Sequence, residues 1–130
     1  MLLNLNHIGQ IAPPVTDVDR AEKFYENVIG LRKLYRFADL SFFDSAGVRP
    51  LLEKTNDAAN FKAQGCIYFR CADIALTVAT LEKRGVTLTH RPHCIAKMGD
   101  HDLWIAFFHD PDGHMLAVTQ EAPKGYAPAL

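Results

Sequence analysis

Polar and apolar positions alternate with period two at the start of the chain. Leu5, His7, Gly9 and Ile11 fall on one face and Asn6, Ile8 and Gln10 on the other, which predicts a strand over 5–11. Pro13-Pro14 is expected to end that ladder, because proline has no N–H to contribute. The apolar spacing then lengthens. Val18, Ala21, Phe24, Tyr25 and Val28 recur every three or four residues, predicting a helix that Thr16 or Asp17 caps and Gly30 stops. Short strands are expected over 31–37, 40–43 and 48–53.

The same events then recur. Residues 65–120 read as a strand, a helix capped by Asp73 with Ile74, Val78 and Leu81 on one stripe and Gly85 after its end, and strands over 86–90, 103–108 and 115–120. Two copies of one unit within 130 residues predict two modules, about 5–54 and 65–121, that pack as a single domain. Each last strand is entered through a turn, Asp44-Ser45-Ala46-Gly47 and Asp110-Pro111-Asp112-Gly113. His109 and His114 flank the second turn and read as solvent-exposed. Residues 91–102 break the symmetry and read as a long connection carrying His93 and His101, and long loops are more often functional than short ones.

Composition narrows the function classes. The chain is 48% hydrophobic and 22% charged with a net charge of −1, an ordinary globular balance. Lys and Arg are scattered, so neither a nucleic acid nor an anionic membrane surface is an expected partner. No signal peptide and no membrane-length apolar run stands in the sequence, and a cytoplasmic location is expected. Cys66, Cys71 and Cys94 are an odd number without CxxC spacing and read as reduced thiols.

Three runs carry a family resemblance: His-Ile-Gly at 7–9, Asp-x-x-x-Ala-x-x-Phe-Tyr-x-x-x-x-Gly-Leu at 17–31, and Phe-x-His-Asp-Pro-Asp-Gly-His at 107–114. Together they resemble the vicinal oxygen chelate superfamily, which includes glyoxalase I, bleomycin and fosfomycin resistance proteins, extradiol dioxygenases and methylmalonyl-CoA epimerase. The resemblance spans about 5–121. It implies an α+β, glyoxalase-like fold in which two βαβββ modules form a cup-shaped mixed sheet, and a homodimer. It also implies metal-ligand positions on the first and last strands of each module. These are His7 and Glu53 in the first, and Cys66 and Ala117 in the second. Imidazole and carboxylate bind divalent metals and a thiolate is a softer ligand, but a methyl group ligates nothing. Cys66 or His93 are the candidate recruits for a third ligand.

Two functions follow. One is a glyoxalase-like lyase, isomerase or epimerase on a compact oxygenated substrate. His7 and Glu53 would then be the catalytic pair, with or without a divalent metal ion. The other is a small-molecule or drug-sequestering protein of the bleomycin-resistance type, for which the aromatics Tyr35, Phe37, Phe42, Tyr68, Trp104 and Phe107 speak. The near-neutral charge speaks against capture of a cationic drug. His101, Trp104, Phe107 and Arg49 are the candidate substrate-binding residues. Each has a plainer alternative: Trp104 as a core anchor, His7 as a hydrogen-bonded core residue, Glu53 as a solvated strand end. Arg49 shares a face with Leu51 and Glu53 if Pro50 leaves the strand regular. The discriminating observation is whether His7, Glu53 and His101 converge or aromatic rings fill the cup.

Overall fold

The computed structural model describes residues 3–4, 6–57 and 65–128. The chain divides into two compact units, one up to residue 64 and one from residue 65. In the first, β1 (Gln10–Ile11) and β2 (Pro14–Val15) precede α1 (Val18–Lys23), which runs on as a π-helical segment, Phe24–Ile29. Strands β3 (Arg32–Phe37), β4 (Leu40–Asp44) and β5 (Arg49–Lys54) follow. In the second, β6 (Ile67–Arg70), α2 (Ile74–Lys83), β7 (His90–Lys97), β8 (Asp102–His109) and β9 (Met115–Ala122) repeat the plan. The sheet orders are β1-β5-β4-β3, with β2 also on β5, and β6-β9-β8-β7. Each unit thus sets its first strand parallel to its last, and the remaining neighbours are antiparallel.

Local chemistry explains the helix ends. Asp17 Oδ1 accepts from Arg20 N–H and Asp73 Oδ1 from Leu76 N–H, each satisfying a donor that the first turn leaves free. A second acceptor comes from the sheet: the buried Gln120 Oε1 takes the Ile74 N–H at 2.8 Å. Gly30 stops the first helix at φ 85°, where its N–H reaches Tyr25 O. α2 buries Ile74, Val78 and Leu81, worth roughly 1.5–3 kcal/mol per side chain.

Several expectations change. The first strand does not run through 5–11. Leu5 lies outside the described residues, residues 6–9 are not in a strand, and pairing starts at Gln10. Pro13-Pro14 does not end the ladder either, since Pro14 and Val15 stand level with Glu53 and Lys54 in the same parallel register. Within this sheet β1 and β2 form an edge, where a missing proline donor is tolerated. Pro50, in turn, leaves β5 regular and stands level with Ile11.

The largest change concerns 86–102. Residues 86–89 are not strand, and the supposed long connection is mostly strand β7, joined to β8 by a short turn. β7 is the sheet's edge and pairs with β8 through two register shifts. Pro92 sits inside the first of these bulges and is buried. At the β8–β9 turn, Asp110 O accepts from Gly113 N–H, and Asp110 Oδ1 accepts from Asp112 and His114 N–H. This folds His114 inward: it is buried, while His109 is exposed as expected. The three cysteines are free and half-buried.

Candidate functional site

In a sheet with a helix on one face, the other face is where a ligand can meet side chains. Cross-strand partners share a face, so register assigns each residue. In the first unit, Glu22 on α1 accepts from the Ser41 hydroxyl, and Tyr25 lies against Phe43 at 6.3 Å. Ser41, Phe43 and Leu52 therefore face the helix. The opposite face carries Tyr35, Phe37, Leu40, Phe42, Leu51 and Glu53. There the Tyr35 and Phe42 rings stack at 4.6 Å and 28°. Arg49 is on this face too, exposed and level with Gln10. Burial pushes the Glu22 carboxyl up, but the Ser41 hydroxyl and the Arg36 and Lys33 cations outweigh it and leave Glu22 below its ordinary value.

In the second unit, Gln120 touches α2, so its partner Trp104 also faces the helix side. The helix-free face is then read directly from the register. One row crosses all four strands as Tyr68, Ala117, Phe107 and His90, and the next as Arg70, Thr119, Ile105 and His93. In the first row the Tyr68 and Phe107 rings meet edge to face at 6.2 Å and 80°, and Phe107 meets His90 at 5.6 Å and 78°. His90 lies 6.4 Å from His93. Ala117 between them is fully buried. Its methyl group is small enough for the flanking rings to meet above it, so the position where the resemblance implies a carboxylate ligand is the floor of an aromatic row.

The expected catalytic pair is not brought together. Glu53 stands level with Pro14, whereas His7 lies three residues before Gln10, which is level with Arg49 at the other end of β5. Both are exposed, and among the described residues no hydrogen bond or ion pair joins them. His101 Nδ1 donates to Asp100 Oδ1 at 2.7 Å, in the turn before β8, and is away from the ring row. Trp104 is a packing residue, edge to face with Tyr126 at 6.0 Å on the helix side, and this corrects its assignment as a ligand contact. Phe107 lies on the helix-free face. His90, at the end of the strand expected over 86–90, was not among the candidate site residues. Its cue was the Arg91-Pro92 pair, which marks a bulge and so turns two histidines three residues apart onto one face.

The candidate donors stand apart among the described residues. Among the described residues no three His, Cys, Asp or Glu side chains cluster closely enough to hold one, and three protein ligands are the common minimum for a catalytic site. Cys66 precedes β6, and its thiol lies 3.8 Å from Ile67 O. Burial pushes that thiol above its ordinary value, with a smaller opposing pull from Tyr68.

The family model for the Glyoxalase/Bleomycin resistance protein/Dioxygenase superfamily matches residues 5–118. The chain belongs to this superfamily. Solved structures agree on the glyoxalase-like fold. A lactoylglutathione lyase from Agrobacterium tumefaciens is 22% identical with a TM-score of 0.75, over 95% of this chain and 100% of that one. An integron cassette protein from the mobile metagenome of the Halifax Harbour sewage outfall is 22% identical with a TM-score of 0.74, over 89% and 99%. A virulence protein from Salmonella typhimurium is 16% identical with a TM-score of 0.75, over 92% and 100%. At such identities superfamily members share architecture, and one architecture hosts many chemistries. No curated protein matches the chain. Among the described residues no helix is long and apolar enough to cross a membrane.

Proposed function

We propose that this superfamily member binds a small, flat organic molecule against the helix-free face of its second unit and does so without a catalytic metal. The observation that supports this reading is the row Tyr68–Phe107–His90, closed over the buried Ala117. Aromatic faces and edges offer a flat ligand stacking and edge contacts worth about 0.5–1.5 kcal/mol per ring beyond the area they bury. The lyase, isomerase or epimerase reading would need His7 and Glu53 to act on one substrate; Glu53 stands level with Pro14, and His7 precedes Gln10, which is level with Arg49. A sequestering protein needs neither of them.

The test is equilibrium binding of a panel of two-ring aromatic compounds to the full chain, followed by calorimetry. Saturable binding of at least one is expected, with affinity falling about tenfold in Phe107→Ala and unchanged in His7→Ala. Binding that ignores Phe107, or that collapses with His7 or Glu53, overturns the reading.

A further inference from the structure

The two histidines of β7 occupy one face for a specific reason. In a regular strand, residues three apart point to opposite faces. Here His90 pairs with Phe107 and His93 with Ile105, so three steps along β7 match two along β8. The bulge at Arg91-Pro92 absorbs the extra residue, and Pro92 fits there because a bulged edge position needs no N–H. Bulges of this kind re-aim side chains, and this one sets a second imidazole beside the ring row.

The tautomer of that imidazole is set by the backbone. His93 Nδ1 lies 2.7 Å from Arg91 O. A carbonyl oxygen only accepts, so Nδ1 carries the hydrogen, and in the neutral ring Nε2 is left as an acceptor. His93 is exposed, so Nε2 is within reach of a docked molecule. The other charged groups on these rows are already engaged, since Arg70 is paired with Glu121. The face therefore offers flat apolar contact from Tyr68 and Phe107, and beside it the oriented acceptor of His93.

We propose that His93 is the specificity-determining residue of this face, and that the ligand class is a flat aromatic molecule bearing a hydroxyl or ring N–H donor. The proposal rests on the reading under Proposed function and adds the polar half of recognition. A donor that leaves water when it docks must be re-paired or its desolvation is lost from the affinity. His93 Nε2 re-pairs it, whereas an ether-capped ring of the same shape gains nothing from the acceptor. This acceptor is also why the bulge matters: a β7 without it would present either His90 or the imidazole at 93 on this face, but not both.

The experiment uses β-naphthol and its methyl ether as probes, with the full chain at neutral pH, and records the thermal midpoint of each variant alongside. Wild type is expected to bind the naphthol about tenfold more tightly than the ether. His93→Phe keeps the affinity for the ether and loses the preference, and His93→Gln, which retains an acceptor, keeps part of it. Equal binding of both probes by wild type, or a preference that survives in His93→Phe, overturns the proposal while leaving the aromatic-binding reading intact. Absence of binding by either probe overturns both.

Discussion

Asp102 is 4% exposed and uses both carboxylate oxygens. Oδ2 accepts from Gly125 N–H at 3.0 Å and Oδ1 from Lys124 Nζ at 3.0 Å, while the same ammonium donates to Met98 O. One carboxylate thus ties the segment after β9 to the β7–β8 turn. The Gly125 N–H first, and the Lys124 cation second, hold its carboxyl below the usual range. A depressed folded value means a contribution to stability that is present above the ordinary aspartate value, about 4, and lost as pH falls through the folded one. Trp104 is the only tryptophan and touches Tyr126 in the tied segment. Its emission should shift as pH falls below about 4, and Asp102→Asn should show the shifted emission already at neutral pH. Flat emission down to global unfolding would mean that the clasp does not respond to Asp102. Ala117 carries the opposite lesson about small residues. It is 0% exposed beneath two rings, so Ala117→Glu would bury a carboxylate with no partner and force Tyr68 and Phe107 apart. A loss of about 3 kcal/mol or more in denaturant unfolding is expected, together with loss of aromatic binding. The residue type at 117 was plain from the resemblance. Its role was not, because only the β6–β9–β8 register puts Tyr68 and Phe107 on either side of it.

The helices were legible because each carries its own punctuation. Asp17 and Asp73 accept from the third residue on, and Gly30 and Gly85 adopt φ 85° and 92° after the last turns. Removing a cap should therefore be measurable in isolation. Asp73→Ala is expected to cost about 1 kcal/mol by chemical denaturation, with Gln120 still holding the Ile74 N–H. A cost near zero would show that Gln120 alone caps α2. Turns were equally legible: Ala46 and Gly47 both take positive φ, 49° and 93°, the primed hairpin geometry that the glycine favours. Strands with proline were not. Pro13-Pro14 read as a stop because proline removes a ladder donor, and whether that matters depends on which strands are edges. Edge status is a property of the assembled sheet, β1 and β2 on one side of β5 and β7 beyond β8, so no local pattern contains it. Missing β7 also hid the pairing of His90 with His93. A loop reading gives 91–102 no faces, and the pairing of two imidazoles exists only once the strand and its bulge do.

Across the whole molecule the internal repeat is complete in topology and incomplete in chemistry. Both units set the first strand parallel to the last and cap the helix with aspartate, which is what the recurring pattern and the superfamily match both express. Their helix-free faces have diverged. The first keeps Glu53 but pairs it with Pro14 in register, and the second has Ala117 level with Tyr68. Neither parallel pair offers two donors at one level. Only side-chain identities at a known register reveal this, and a three-residue offset between His7 and the start of β1 conceals it in the sequence. The consequence is testable on the intact protein. His90 and His93 supply two imidazoles, short of the three ligands that hold a catalytic divalent ion, and no third donor joins them among the described residues. Titration with manganese, cobalt, nickel or zinc should leave the thermal midpoint unchanged, since a ligand stabilises only to the extent that it binds the folded state. Chelator treatment should likewise leave aromatic binding unchanged. A stoichiometric metal that raises the midpoint and is lost in Glu53→Ala would instead restore the metal-dependent reading of this superfamily for this chain. The same metal lost in His93→Ala would move the centre to the bulged strand.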